Sequence, residues 1–112
     1  MPLADYYIKQ GDTGLLIRSF CEDATGTPVD ITGATVKFHM TNINGSATGA
    51  LNASGTNENA TSTGRVSYTF TAGQTANAGL YIAEWEITVG GGAIQTFPNG
   101  RQMLIRILPQ IA

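Results

Sequence analysis

The chain has 112 residues, of which 12% are charged, and its formal net charge at pH 7 is -2 with the histidine counted as neutral. This length predicts a single domain, residues 1–112, around one core, and one cysteine allows no disulfide within the chain. The small negative charge excludes a basic surface for nucleic acid or for an anionic membrane. The sequence opens without a basic region and an apolar run, and it contains no apolar stretch of about eighteen residues. We therefore expect a protein made in the cytoplasm, without processing or membrane insertion.

The first two predicted strands differ in how clearly they show a buried face. Tyr6–Gln10 is short and mixed and ends at a turn cluster, which indicates an edge strand. Leu15–Glu22 alternates without deciding which face is inside. We favour burial of the face that carries Ile17 and Cys21, because the other face contains Arg18 and an unpaired charge in a core is strongly unfavourable.

The middle of the chain contains one clear strand and one long tract without periodicity. Thr35–Thr41 alternates, with Val36 and Phe38 on the inner face, which predicts a half-buried strand. The tract that follows, at about 42–63, is rich in Gly, Ala, Ser, Thr and Asn. We predict a flexible or extended loop there, because a tract of this length is usually mobile or functional.

The segment Gly79–Val89 is the longest alternating run in the sequence. One face carries Trp85 among other apolar residues and the opposite face carries Glu84, as expected of a strand with one buried face. We predict the central strand of a sheet, with the tryptophan as its core anchor. Tyr81 occupies the position of a tyrosine corner, whose hydroxyl bonds back to the preceding connection.

The last strand is predicted in two pieces, Ile94–Phe97 and Gln102–Leu108, interrupted by Pro98-Asn99-Gly100. About seven short strands without helical periodicity predict an all-β fold, an immunoglobulin-like antiparallel β-sandwich. Ala83 stands where a disulfide-bearing antibody domain has a cysteine, which excludes that subclass.

Isolated polar residues give no reactive site. His39 is the only histidine and has no ligand cluster at metal-binding spacing, so we expect an exposed side chain without a role. Cys21 falls on the predicted core face, where a small buried hydrophobe is expected rather than a nucleophile. We predict no metal site and no cofactor.

Glu84 and Glu86 are the one pair of carboxylates whose spacing we compare with that of catalytic carboxylates. Alternation places them about 7 Å apart on one strand face, a separation found in inverting glycosidases. An open strand face lacks the cleft that such catalysis needs. We therefore predict a solvated face with cross-strand partners such as Arg65 or Arg106, no catalytic residues, and a protein that is not an enzyme.

Apolar residues on predicted outer faces are the remaining functional signal. Several on one sheet would form a patch that implies a partner. The candidate interface residues are Leu16, Phe20, Ile82, Leu104 and Leu108.

Four segments carry a resemblance to a known family. They are Ile8–Thr13, Asp23–Phe38, Gly79–Trp85 and Phe97–Gly100. In this order they resemble the immunoglobulin-like N-terminal domain of phage baseplate upper proteins and related small tail or virion proteins. The resemblance spans nearly the whole chain, and each segment alone is only a turn with a strand.

The resemblance implies a non-enzymatic structural protein of a phage or prophage virion. It would be made in the host cytoplasm and would mediate protein–protein attachment in the tail or baseplate. Its expected partners are other virion proteins and copies of itself. Because no stalk follows the last predicted strand, a capsid decoration or head–tail accessory protein is an alternative. A module that binds glycans or cell surfaces, such as a host surface glycan, through the long loop and exposed aromatic side chains is another.

Overall fold

The structure, a computed structural model, describes residues 4–14, 16–23, 25–44, 50–58, 64–89, 92–98 and 103–109. Within these ranges the chain forms nine strands and one short 3-10 helix, Ala72–Thr75. The strands are β1 (Tyr6–Lys9), β2 (Leu16–Phe20), β3 (Thr35–Asn42), β4 (Leu51–Ser54), β5 (Thr56–Asn57), β6 (Arg65–Thr69), β7 (Gly79–Thr88), β8 (Ile94–Phe97) and β9 (Met103–Leu108).

The strands form two sheets that pack as a sandwich. The larger sheet has the order β1-β9-β7-β3-β4, with β8 also beside β7, and the smaller sheet has the order β2-β6-β5. Phe38 of the larger sheet stacks on Tyr68 of the smaller sheet, with ring centroids 4.9 Å apart, inside one common core. The predicted all-β immunoglobulin-like sandwich is confirmed. Among the described strands, the one exception to antiparallel pairing is β1, which runs parallel to β9.

β7 is the central strand, because it pairs with β3 along one side and with β8 and β9 along the other. Its fully or nearly buried inward residues are Tyr81, Ala83, Trp85 and Ile87. Trp85 lies opposite Phe38 of β3, with ring centroids 4.9 Å apart. The alternation predicted for this strand is therefore confirmed, and its inner face supplies the middle of the core.

Tyr81 forms the predicted tyrosine corner. Its hydroxyl donates a hydrogen bond of 2.6 Å to the carbonyl oxygen of Asn77, four residues earlier in the connection that leads into β7. The side chain is fully buried. The bond therefore ties the start of the central strand to the connection before it.

The predicted orientation of the second strand is also confirmed. Ile17 and Cys21 are buried, whereas Arg18 points to solvent. The strand itself is β2, Leu16–Phe20, and Leu15 lies outside the described residues. Excluding an arginine from the core was therefore a sufficient criterion to orient this strand.

The last strand is interrupted as predicted. Phe97 of β8 pairs with Trp85, and Met103 of β9 pairs with Ala83. Between these two pairs β7 contributes a single residue, Glu84. Of the predicted interruption, Pro98 is described, while Asn99 and Gly100 lie outside the described residues.

The tract at 42–63 contains two strands that the sequence pattern did not predict. β4 extends the larger sheet beside β3, and β5 extends the smaller sheet beside β6. Gly55 alone separates them, and its N–H donates to the carbonyl oxygen of Val36 at 2.9 Å. Residues 45–49 and 59–63 of the tract lie outside the described residues, so this part of the loop prediction is not tested.

Candidate interaction surface

The five apolar residues predicted as an interface lie on opposite sides of the sandwich. Leu16 and Phe20 project from the outer face of the smaller sheet and are 47% and 55% exposed. Ile82, Leu104 and Leu108 are half-buried on the outer face of the larger sheet. The five residues therefore belong to two surfaces and cannot form one patch.

Charged side chains divide the outer face of the smaller sheet. Arg18 stands between Leu16 and Phe20 on β2, and its Nε donates to Glu58 Oε1 at 3.0 Å. Arg65 Nε lies 3.0 Å from the same oxygen. Because residues four apart on a strand are about 13 Å apart, Leu16 and Phe20 flank this cluster without touching each other. This face therefore offers no continuous apolar surface.

The charge cluster is centred on Glu58, whose side chain is only 17% exposed. A hydrogen bond from the hydroxyl of buried Ser67, followed by the nearby Arg18 and Arg65 guanidinium groups, holds the pKa of the Glu58 carboxyl below its ordinary value. Ionised Glu58 therefore has partners on both β2 and β6. The cluster belongs to the stability of the smaller sheet.

One end of the larger sheet's outer face is mainly apolar, and we call it the apolar half; exposed Arg106 lies within it, between Tyr7 and Leu80. Its residues are Tyr7, Ile43, Leu80, Ile82, Leu104 and Leu108. Ile82 stands opposite Leu104 in the pairing of β7 with β9. On the other side of β7, the N–H of Ile43 donates to the carbonyl oxygen of Leu80 at 3.0 Å. Directly opposed residues have Cβ atoms about 5 Å apart, so these side chains form one surface.

Three residues of the apolar half were missed by sequence reasoning. Tyr7 and Ile43 are 54% and 51% exposed, and Leu80 is half-buried. Leu80 precedes Ile82 by two residues, so the alternation of β7 contained the signal for it. Tyr7 joins the surface only because β1 pairs with β9, a long-range contact that local periodicity does not encode.

The other end of the same face is polar. Glu84 stands opposite His39, and Glu86 stands opposite Lys37, in the pairing of β7 with β3. The predicted partners Arg65 and Arg106 are therefore wrong for this pair of carboxylates: the first is on the smaller sheet, and the second lies opposite Leu80.

His39 is not the exposed, isolated side chain that we expected. It is 28% exposed, and its Nδ1 lies 3.8 Å from Glu84 Oε2. A pocket of about 300 Å³ opens beside this pair, at the border between the apolar half and the polar end. Ile82 and Pro98 supply apolar walls and Glu84 supplies a carboxylate.

The described residues show no other reactive arrangement. Across them, no three His, Cys, Asp or Glu side chains come together as metal ligands. Cys21 is fully buried, as predicted, and burial raises the pKa of its thiol to about 11. No helix in the described ranges has the length and apolar character needed to cross a membrane.

Comparisons with known proteins support the fold and do not assign a family. No protein-family model matches the chain, and no curated protein matches it. Among solved structures, the chain is similar to the crystal structure of CopC from Methylosinus trichosporium OB3b, with a TM-score of 0.52 and 10% sequence identity. The match covers 99% of this chain and 90% of that chain. At this identity the similarity shows a shared β-sandwich fold alone.

Proposed function

We propose that this protein is a non-enzymatic structural protein of a phage or prophage virion, and that it attaches to other virion proteins in the tail or baseplate. The observation that carries the proposal is the apolar half, a mainly apolar surface on the outside of the larger sheet that surrounds Arg106. Such a surface implies a partner that covers it. The apolar half includes solvent-exposed Tyr7, and tyrosine is enriched in protein interfaces. The family resemblance supports the virion as the place where that partner is found.

The same surface would serve a capsid decoration or head–tail accessory protein. These alternatives differ only in where the protein sits. Labelling particles with an antibody against the chain, followed by electron microscopy, separates them: label at the tail end supports the baseplate role, and label over the head supports decoration.

Glycan binding is the competing candidate from a different class. The exposed aromatic ring of Tyr7 favours it, but Phe97 is buried in the core and the Tyr6 hydroxyl is bonded to the carbonyl oxygen of Arg18. The three aromatic residues therefore do not form one platform. If the wild type binds a glycan on an array and Tyr7→Ala does not, the result would favour this candidate over attachment.

The test of attachment compares two lysine substitutions in phage particles. Ile82→Lys places a charge within the apolar half, and Leu16→Lys is the matched control on the opposite sheet. With both variants folded by circular dichroism, we expect Ile82→Lys to be incorporated into particles at least about tenfold less than the wild type. Leu16→Lys should be incorporated normally. Absence of the wild-type chain from particles, or normal incorporation of Ile82→Lys, would contradict the proposal.

A further inference from the structure

Two positive side chains lie on the outer face of the sheet edge that β1 and β9 form. Arg106 of β9 stands opposite Tyr7 of β1, and Lys9 of β1 stands opposite Leu108. Lys9 and Arg106 are both exposed, and Lys9 shares a face with Tyr7 because side chains alternate along a strand. Two residues along a strand and one strand spacing therefore separate the two cations, about 8 Å between their backbone positions.

Apolar side chains enclose Arg106 on the surface of the sheet. Its same-face neighbours along β9 are Leu104 and Leu108, both half-buried. Its neighbours across the sheet are Tyr7 and Leu80. An arginine can rest its aliphatic stem on such neighbours while its guanidinium stays free to bind. An arginine set among apolar and tyrosine side chains is typical of the central part of a protein interface.

The described part of the chain supplies neither cation with an acidic partner. No carboxylate there lies within 4.0 Å of the Lys9 or the Arg106 side chain. Asp5, next to β1, uses one carboxylate oxygen to accept the N–H of Leu104 at 2.7 Å. A protein that covers the apolar half would remove water from both cations, and a desolvated charge without a counter-charge is strongly unfavourable. The covering protein must therefore bring negative charge.

We propose that the apolar half binds an acidic segment of another virion protein, one that presents two carboxylates beside apolar side chains. One carboxylate would accept two parallel hydrogen bonds from the Arg106 guanidinium, and the other would pair with the Lys9 ammonium group. The apolar side chains would cover Leu80 and Ile82. The apolar surroundings favour a protein over nucleic acid, whose interfaces are more polar and much more positively charged. The inference rests on the proposed function and deepens it, because it gives the chemistry of the partner at the same surface.

Carbodiimide cross-linking of purified particles tests for a carboxylate at Lys9. The reagent joins an amine to a carboxylate in direct contact through an amide bond. Mass spectrometry of the cross-linked peptides should therefore identify Lys9 joined to Asp or Glu of a different virion protein. Lys9→Arg is the control for the assignment, because it keeps the positive charge and lacks the amine, so particles that contain this variant should lose the cross-link.

Substitution of Arg106 separates the ion pair from apolar contact. Arg106→Leu makes the surface more apolar, so attachment through apolar contact alone would be kept or improved. We expect instead that its incorporation into particles falls at least about tenfold, because the partner's carboxylate is left desolvated and unpaired. Arg106→Glu should lower incorporation further. Lys37→Glu, at an exposed position of the polar end, makes the same change in charge and should be incorporated normally, with the fold of every variant checked by circular dichroism.

The acidic partner is overturned if Arg106→Leu is incorporated as the wild type is, if Lys9 forms no cross-link, or if its cross-links lead only to a second copy of this chain. Binding of duplex DNA by the wild type and not by Arg106→Leu, in a gel-shift assay, would assign the two cations to phosphates and would also overturn it. Exclusion of Ile82→Lys with normal incorporation of Arg106→Leu would leave attachment standing without the acidic partner. Absence of the wild-type chain from particles would instead contradict the proposed function, and the acidic virion partner with it.

Discussion

Gly55 lies against the indole ring of Trp85: a Cβ atom on Gly55 would come within 3.2 Å of Trp85 Cζ3. The same atom would be 2.9 Å from Val36 Cγ1 and 3.2 Å from the carbonyl oxygen of Ser67. The chain leaves the larger sheet after β4 and enters the smaller sheet at β5 with only this residue between them. The crossing can be this short because the residue at the crossing has no side chain.

We predict that Gly55→Ala destabilises the domain by about 1 to 3 kcal/mol, because a methyl group there overpacks the core beside Trp85. Gly73→Ala is the matched control, since a Cβ at Gly73 meets nothing within 4 Å. Urea unfolding followed by the fluorescence of the single tryptophan measures both. Equal midpoints for the two variants would show that the core accommodates the methyl group and would contradict the prediction.

The elements that the sequence predicts well are those whose pattern is local. The alternation around Trp85 and the charge of Arg18 are sufficient to orient β7 and β2, because each concerns one strand and its own two faces. β4 and β5 escape prediction for a physical reason. Leu51 and Ala53 are the two apolar residues of β4 that pack against the core, and the crossing is Gly55, so the apolar alternation is too short to predict a strand.

The turn before β6 depends on a second glycine. Gly64 has a φ of +71°, and a Cβ there would lie 2.5 Å from the carbonyl oxygen of Cys21 and 3.0 Å from that of Val29. We predict that Gly64→Ala destabilises the domain by about 2 kcal/mol or more, from left-handed strain combined with a backbone clash.

Gly26→Ala separates these two causes. Gly26 has a similar φ of +84°, but a Cβ there meets nothing within 4 Å. Gly26→Ala should therefore lower the free energy of unfolding by about 1 kcal/mol, from backbone strain alone. Thermal unfolding of the two variants side by side is the measurement, and a Gly26→Ala variant as unstable as Gly64→Ala would mean that the clash contributes nothing.

The candidate surface shows the limit of local pattern more clearly than the fold does. Ile82 and Leu104 were identifiable as outward residues, but their direct opposition follows from the register of β7 with β9. Leu16 satisfied the same sequence criterion and belongs to the opposite sheet. Which outward residues share a surface depends on strand order, and strand order depends on contacts between distant parts of the chain.

Tyr81→Phe tests the tyrosine corner without changing the shape of the core. The substitution removes the hydroxyl that donates to Asn77 and leaves that carbonyl oxygen without this bond. We predict a loss of about 1 to 2 kcal/mol in the free energy of unfolding. Tyr68→Phe removes the hydroxyl of another buried tyrosine, and its change in the free energy of unfolding is measured for comparison. A Tyr81→Phe variant as stable as the wild type would show that the corner bond contributes no net stability.

The Glu58 cluster predicts how stability changes in acid. The folded protein holds the pKa of Glu58 below its ordinary value of 4.5, first through the Ser67 hydroxyl and then through Arg18 and Arg65. The unfolded chain therefore binds more protons near that pH, and stability rises with pH. This contribution is fully present above about pH 5 and is lost as the pH falls through the folded-state pKa.

Glu58→Gln removes the charge and keeps the size of the side chain, so the variant should be less stable than the wild type at pH 7. The two should converge as the pH falls below the folded-state pKa of Glu58, where the wild-type carboxyl is protonated. Asp23→Asn is the control, because the hydroxyl and N–H of Thr25 and the N–H of Thr27 lower the pKa of Asp23 independently. That variant should retain the part of the pH dependence that belongs to Glu58. Urea midpoints between about pH 3 and pH 7 measure the difference, and a constant gap between Glu58→Gln and wild type at every pH would refute the assignment.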